Sequence, residues 1–232
     1  MTMAGEGSRF KDAGYKVPKP LIEFDNKPLF INSLKTIDNV QFESITFVVR
    51  EEFIKEYHID ETIKKWFPEA YIIAVKETTR GAAETAFFAM RELILADIAD
   101  FTDRVLVMDC DVIVESEAWK KAITHPKSDG ILLSFKSENP RYSYAVVYNG
   151  EVIRTAEKNP ISCNALTSPY FFKKIEDFVD AFHEMEDANA DGEMYVSNIY
   201  NYLIADGKHI TLIDADSITS LGTPEELKAA QK

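Results

Sequence analysis

The chain has 232 residues, 46% of them hydrophobic, and a formal net charge of −13. The apolar share supplies a sizeable core and excludes a disordered chain, while the acidity argues against nonspecific nucleic-acid binding and against docking on anionic membranes. No apolar run is long enough to span a bilayer and no leader-like segment precedes the first motif; Cys110 and Cys163 lack metal-type spacing and read as reduced thiols of a cytoplasmic protein.

The first motif in chain order is Met3-Ala4-Gly5-Glu6-Gly7-Ser8-Arg9-Phe10, followed by Lys19 inside Pro18-Lys19-Pro20-Leu21. Two glycines one residue apart let the backbone turn sharply and approach a bulky anion. Arg9 adds a planar cation, and Lys19 between two prolines adds a fixed point charge. Arg9, Lys11, Lys16 and Lys19 outnumber Glu6 and Asp12 here, so the loop is locally basic in an acidic chain. That pattern suits a triphosphate. A glycine loop of this kind follows a central strand, yet only Met1-Thr2-Met3 stands before it: either the strand is very short or a few residues precede it. A dinucleotide fingerprint is excluded, because Phe10 stands where its third glycine belongs.

Beyond the loop, short apolar runs alternate with helical patterns. Strands are expected at Ile45–Val49, Tyr71–Val75, Val105–Met108 and Ile131–Ser134. Helices are expected over 28–38, 51–66, 81–97 and 115–124, with Ala82, Ala86, Met90, Leu93 and Ile94 on one face of the third. The alternation implies an α/β fold: a Rossmann-like, mixed, mostly parallel sheet with helices on both faces and sites at the carboxyl ends of its strands. In the second half, Tyr144–Tyr148 and Val152–Thr155 flank Asn149-Gly150 and form a hairpin signal. Helices over 174–186 and 192–206, a strand at Ile210–Ile213 and a short helix opened by Pro224 complete the chain. Nothing reads as a linker, so a single domain is expected, its first part over about 1–125 and its second over about 126–232.

Asp109-Cys110-Asp111 ends the run Val105–Met108. Two carboxylates at a strand's carboxyl end suit a hard divalent cation such as Mg²⁺, and alternation sends both side chains to one side. Lys158 follows Glu157 after the hairpin; alone it reads as a surface ion pair. Asp187 to Gly192 matches the start of a calcium loop, but the twelfth position is Asn198 instead of a bidentate glutamate, so a polar interhelical loop is the better reading.

With these residues in view, the chain resembles the sugar-phosphate nucleotidylyltransferases, the NDP-sugar pyrophosphorylases. Gly5 to Phe10 with Pro18-Lys19-Pro20-Leu21 resembles the family signature, and the later landmarks follow in order over nearly the whole chain. Gly81-Ala82-Ala83-Glu84-Thr85 resembles the base-proximal glycine turn, Asp109 and Asp111 the metal-binding aspartates, and Tyr144–Val147 the strand lining the acceptor pocket. Glu157-Lys158 resembles the site of a second catalytic lysine, and Gly192 to Tyr195 and Gly222-Thr223-Pro224-Glu225 the late motifs. The resemblance implies transfer of a nucleotidyl group from an NTP to a phosphorylated acceptor, usually a sugar 1-phosphate, with release of pyrophosphate and with Mg²⁺ as cofactor.

It further implies that Ala4, Gly5, Gly7, Ser8, Arg9, Lys19, Gly81, Glu84 and Thr85 bind the nucleotide. Arg9, Lys19 and Lys158 would be catalytic, and Tyr144, Glu157, Lys158, Tyr170, Glu193 and Tyr195 would bind the acceptor. Two departures stand out. Many members carry an aspartate before Gly222-Thr223, where this chain has Ser220 and Leu221, so either Asp109 supplies that carboxylate or the metal rests on fewer protein ligands. Thr167 to Phe172 replaces a glycine-containing, sugar-facing strand, with Ser168-Pro169 in its middle. The pattern is most similar to enzymes of capsule and surface-polysaccharide pathways. A cytidylyltransferase for a non-sugar phosphate, and a catalytically weakened nucleotide-binding subunit, are the alternatives; a homo-oligomer stays open.

Overall fold

A computed structural model describes residues 1–188 and 192–231. In chain order it begins with β1 (Thr2–Met3), α1 (Ser8–Asp12), β2 (Glu23–Phe24), β3 (Lys27–Pro28), α2 (Leu29–Ser33), β4 (Thr46–Arg50), α3 (Glu51–Tyr57), α4 (Ile59–Trp66) and β5 (Tyr71–Val75). Next come α5 (Ala82–Leu95), β6 (Val105–Val107), β7 (Val112–Glu115), α6 (Glu117–Thr124), β8 (Gly130–Lys136), β9 (Ser143–Tyr148), β10 (Glu151–Glu157) and β11 (Asn164–Phe172). The last are α7 (Ile175–Ala188), α8 (Val196–Ala205), β12 (Ile210–Asp214), β13 (Ser217–Ser220) and α9 (Pro224–Ala230). Among the described residues no helix is long and apolar enough to cross a membrane. The calcium-loop pattern depends on Asn189 and Asp191, which lie outside the described residues.

The chain divides into two compact units. Unit 1 comprises Met1–Thr79, Asp109–Glu115 and Ser217–Lys232. Its parallel sheet has the order β1-β4-β5, with Met3 opposite Val49 and Val49 opposite Ala74. Thr2–Met3 thus forms a strand before the glycine loop. The helix expected over 51–66 is two helices, because His58 between α3 and α4 takes a left-handed conformation at φ 50°. The one expected over 28–38 becomes α2 and a 3₁₀ turn, Leu34–Ile37. β7 and β13 pair antiparallel, with Val112 opposite Ser220. A small core of Phe10, Ile22, Phe24, Leu29, Leu221 and Leu227 unites segments distant in sequence. α9 starts as its sequence dictates: Pro224 takes the first turn and Thr223 accepts the Glu226 N–H at 3.2 Å, a cap worth about 1 kcal/mol.

Unit 2 comprises Arg80–Met108 and Ser116–Asp216. Its sheet runs β10-β9-β11-β8-β12, with β6 also on β11. β8 and β12 are parallel; the other pairs are antiparallel. The mixed α/β class holds, with parallel pairing in β1-β4-β5 and β8–β12 and a larger antiparallel share than strand–helix alternation predicts. Much of that share comes from β11, which neighbours β6, β8 and β9. Its Ser168-Pro169 falls where the ladder with β8 is interrupted between Thr167 and Phe171, a place where a residue without an N–H is tolerated. Against this sheet pack Phe178, Phe182, Ile199 and Tyr200, which share one core with Phe172 of β11. Phe172 stacks on Tyr200 at 4.7 Å, and Phe87 on Phe182 at 4.4 Å, pairs worth about 0.5–1.5 kcal/mol each beyond their buried area. On α5, Ala86 and Met90 are buried and Ala82 and Ile94 pack at the edge of the core, as the helical spacing predicts, while Leu93 is only half-buried and stands outside that core.

Candidate active site

In unit 1 the loop after β1 and the Pro-Lys-Pro segment meet. Gly7 has φ 62°, and a Cβ there would stand 3.1 Å from Lys19 Cβ. Glycine is thus required twice over, for the left-handed turn and for the close approach. Ala4 is buried, whereas Gly5, Ser8 and Arg9 are exposed at the loop surface. Lys19 opens a 3₁₀ turn, Lys19–Leu21, and its Nζ donates to Asp111 Oδ2 at 2.9 Å, with side chains 26% and 18% exposed. Burial favours the neutral lysine, yet the Asp111 carboxylate, with Asp109 behind it, keeps the ammonium charged and its pKa above the ordinary value.

Asp111 is held by the strand pair that follows it. Leu221 N donates to Asp111 O at 2.8 Å, continuing the β7–β13 ladder. A Cβ on Gly222 would lie 2.8 Å from Asp111 Oδ2, so the absence of a side chain there is what leaves the carboxylate its room. Asp109 is half-buried and Cys110 fully buried, burial pushing the Cys110 thiol up to about 12. Among the described residues no cluster of three or more His, Cys, Asp and Glu gathers as a metal cage.

In unit 2, Gly81 has φ 154°, and a Cβ on it would come within 2.3 Å of Met194 O. The turn before α5 therefore lies against the segment 192–195. Both Glu84 oxygens are engaged by Arg80: its N–H donates to Oε2 at 2.6 Å and its Nε to Oε1 at 2.7 Å. Arg80 also pairs with Glu186 of α7. Thr85 is buried, its hydroxyl donating to Gly81 O at 3.0 Å. Arg80 has no counterpart among the sequence expectations, although its spacing of four from Glu84 is the signal for such a pair.

At the end of β10, Lys158 takes a left-handed backbone at φ 53°, its N–H donating to Tyr142 O at 3.0 Å. Its Nζ donates to the Tyr195 hydroxyl and to Glu193 Oε2 at 3.4 Å, and the Tyr195 hydroxyl donates to Glu193. These bonds raise the Lys158 pKa, the Tyr195 contact most. Glu157 points elsewhere, accepting from Ser143 and from Ser197 Oγ at 3.0 Å. Tyr144 is fully buried, its hydroxyl donating to Asn139 O at 2.6 Å, and Tyr170 belongs to the core. Lys158, Glu193 and Tyr195 thus form one exposed constellation, while Tyr144, Tyr170 and Glu157 have their described contacts inside the fold.

The nucleotidyl transferase family model matches residues 2–231. The chain belongs to that family. Among solved structures it is similar to a nucleoside-diphosphate-sugar pyrophosphorylase from Vibrio cholerae RC9, at TM-score 0.84 and 30% identity over 100% of this chain and 99% of that one. It also shares its fold with the inositol-1-phosphate CTP transferase from T. maritima, at TM-score 0.77 and 17% identity, covering 99% of this chain and 91% of that one. Among curated relatives, the bifunctional protein GlmU of Rhizobium etli (strain CIAT 652) is 25% identical over 234 residues, which cover 94% of this chain and 48% of the relative. The chain spans about half the length of the curated relatives it matches. As a nucleotidyl transferase family member, it carries its two lysine-centred groupings on different units, Lys19 with Asp111 and Lys158 with Glu193 and Tyr195.

Proposed function

We propose that this protein transfers a nucleotidyl group from an NTP to a phosphorylated small-molecule acceptor. An acceptor phosphate oxygen bonds to the α-phosphorus, the bond from that phosphorus to the oxygen bridging to the β-phosphorus breaks, and pyrophosphate leaves. The observation that carries this reading is Lys19: clipped between prolines, set against Gly7, and kept charged by Asp111. Such a transfer needs positioning and charge neutralisation rather than a covalent nucleophile. Arg9 and Lys19 would hold the triphosphate, and Lys158 the acceptor phosphate. Support for a sugar phosphate as acceptor comes from the resemblance of the motifs and from the name of the Vibrio cholerae neighbour.

Mg²⁺ is the cofactor this chemistry takes, and Asp111 with Asp109 would hold it. The donor chemistry fits: Asp109 and Asp111 supply carboxylate oxygens, no side chain at Gly222 presses on Asp111 Oδ2, and Mg²⁺ accepts one or two carboxylates when phosphates and waters complete its shell. When bound it would neutralise phosphate charge. The deciding experiment is pyrophosphate release across a panel of NTPs and phosphorylated acceptors, run with Lys19→Ala alongside. The variant should lose on the order of 10²-fold or more in turnover while staying folded, since a positioned cation at developing charge contributes several kcal/mol. A near-normal rate in the folded variant would remove Lys19 from the site.

A further inference from the structure

The grouping at the end of β10 is built to grip an ammonium. Glu193 Oε2 lies 3.4 Å from the Lys158 nitrogen, the Tyr195 oxygen accepts from the same nitrogen, and the Tyr195 hydroxyl donates to the carboxylate. The nitrogen stands 4.8 Å from the Tyr195 ring centroid, on its hydroxyl side. Side-chain exposures of 52% for Lys158 and 58% for Glu193 leave the grouping open to small molecules. In the proposed reaction, on which this inference rests, Lys158 is drawn to the acceptor phosphate, and its flexible stem permits the move. That move strips Glu193 of its cation just as a second anion arrives beside it. A carboxylate next to a phosphate is repelled unless a positive group intervenes.

We propose that the acceptor supplies that group itself: a phosphorylated compound bearing a protonated primary amine, its phosphate on Lys158 and its ammonium N–H groups on Glu193 and Tyr195. Glu193 and Tyr195 would then be specificity residues that distinguish an amino acceptor from its hydroxyl or hydrocarbon counterpart. A quaternary ammonium lacks the N–H donors that the carboxylate and phenol oxygen accept.

The test uses shape-matched pairs: glucosamine 1-phosphate against glucose 1-phosphate, and phosphoethanolamine against n-propyl phosphate. Each is assayed for pyrophosphate release with the same NTP and, separately, for binding by calorimetry. The amine should be preferred about tenfold or more in at least one pair, the discrimination expected from a charge-assisted hydrogen bond. Glu193→Gln and Tyr195→Phe should pull the ratio toward one while leaving NTP affinity unchanged. Equal use of both members of each pair, or a ratio untouched by either substitution, would overturn the proposal. Pyrophosphate release with only the neutral acceptors would uphold nucleotidyl transfer and sink the amine site. Amine-selective binding without pyrophosphate release from any acceptor would do the reverse.

Discussion

In the proposed reaction the Lys19–Asp111 pair is the point on which unit 1 turns. Each partner has a second task in the proposed reaction, Lys19 toward phosphate and Asp111 toward the cation, so the 2.9 Å bond is a resting contact that substrates would loosen. Asp111→Asn keeps the size and removes the charge. It should abolish Mg²⁺-supported pyrophosphate release and lower the Lys19 pKa, since Asp111 is the main group opposing the cost of burying that ammonium. Asp109→Asn should cost less, or as much if Asp109 supplies the carboxylate absent before Gly222. Full activity in EDTA would refute the metal role. On unit 2, Lys158→Ala should raise the acceptor KM and lower kcat while calorimetric NTP affinity holds, because an interaction made in both ground and transition states enters both constants. Lost NTP affinity with intact acceptor affinity would move Lys158 to the nucleotide. That the glycine loop and the Pro-Lys-Pro segment belong together was legible from the glycine spacing and the paired prolines; the close approach of Gly7 to Lys19 was not. The Lys19–Asp111 bond was not, since 92 residues separate the partners and nothing local in either segment encodes the other.

At the level of elements, most helices and strands follow from periodicity, and the exceptions have physical causes. β7 is four residues, directly after the Asp109–Asp111 turn, too short to show a period. β11 carries Pro169 in its middle, and its register with β8 is interrupted between Thr167 and Phe171, where the missing N–H is tolerated. The split at His58 depends on one left-handed residue that no apolar pattern announces. The parallel pair β8–β12 closes at its carboxyl end with a polar knot: buried Ser134 donates to Asp214 Oδ1 at 2.6 Å, and Lys136 reaches the same oxygen at 3.2 Å. The Ser134 bond, then the lysine, holds the Asp214 carboxyl below its ordinary value of 3.8. A depressed folded-state value stabilises the fold above the ordinary one, and that contribution is lost as pH falls through the lower, folded one. A carboxyl NMR titration should therefore place Asp214 below 3.8 in the native protein, and Ser134→Ala should move it upward. An unchanged midpoint would assign the shift to Lys136 instead.

At the scale of the molecule, unit 1 is assembled from three separated stretches, and the last of them supplies β13, Leu221, Gly222 and Leu227. Removing residues 217–232 should cost the β7 ladder and two buried leucines, each worth about 2–5 kcal/mol when emptied to a cavity. Hydrogen exchange should then show protection lost across Val112–Glu115 and around Phe10, and kept along β8–β12. Protection retained in β7 would mean that the strand holds without its partner. The same arrangement sets an order on biosynthesis. On the ribosome, Lys19 and Asp111 emerge early, but the strand and glycine that frame Asp111 are made after the whole of unit 2. A nascent chain paused before residue 217 therefore carries both charged groups without the frame that fixes them. Competence for phosphate chemistry would arrive at once, when residues 217–222 emerge, rather than building up as the chain grows.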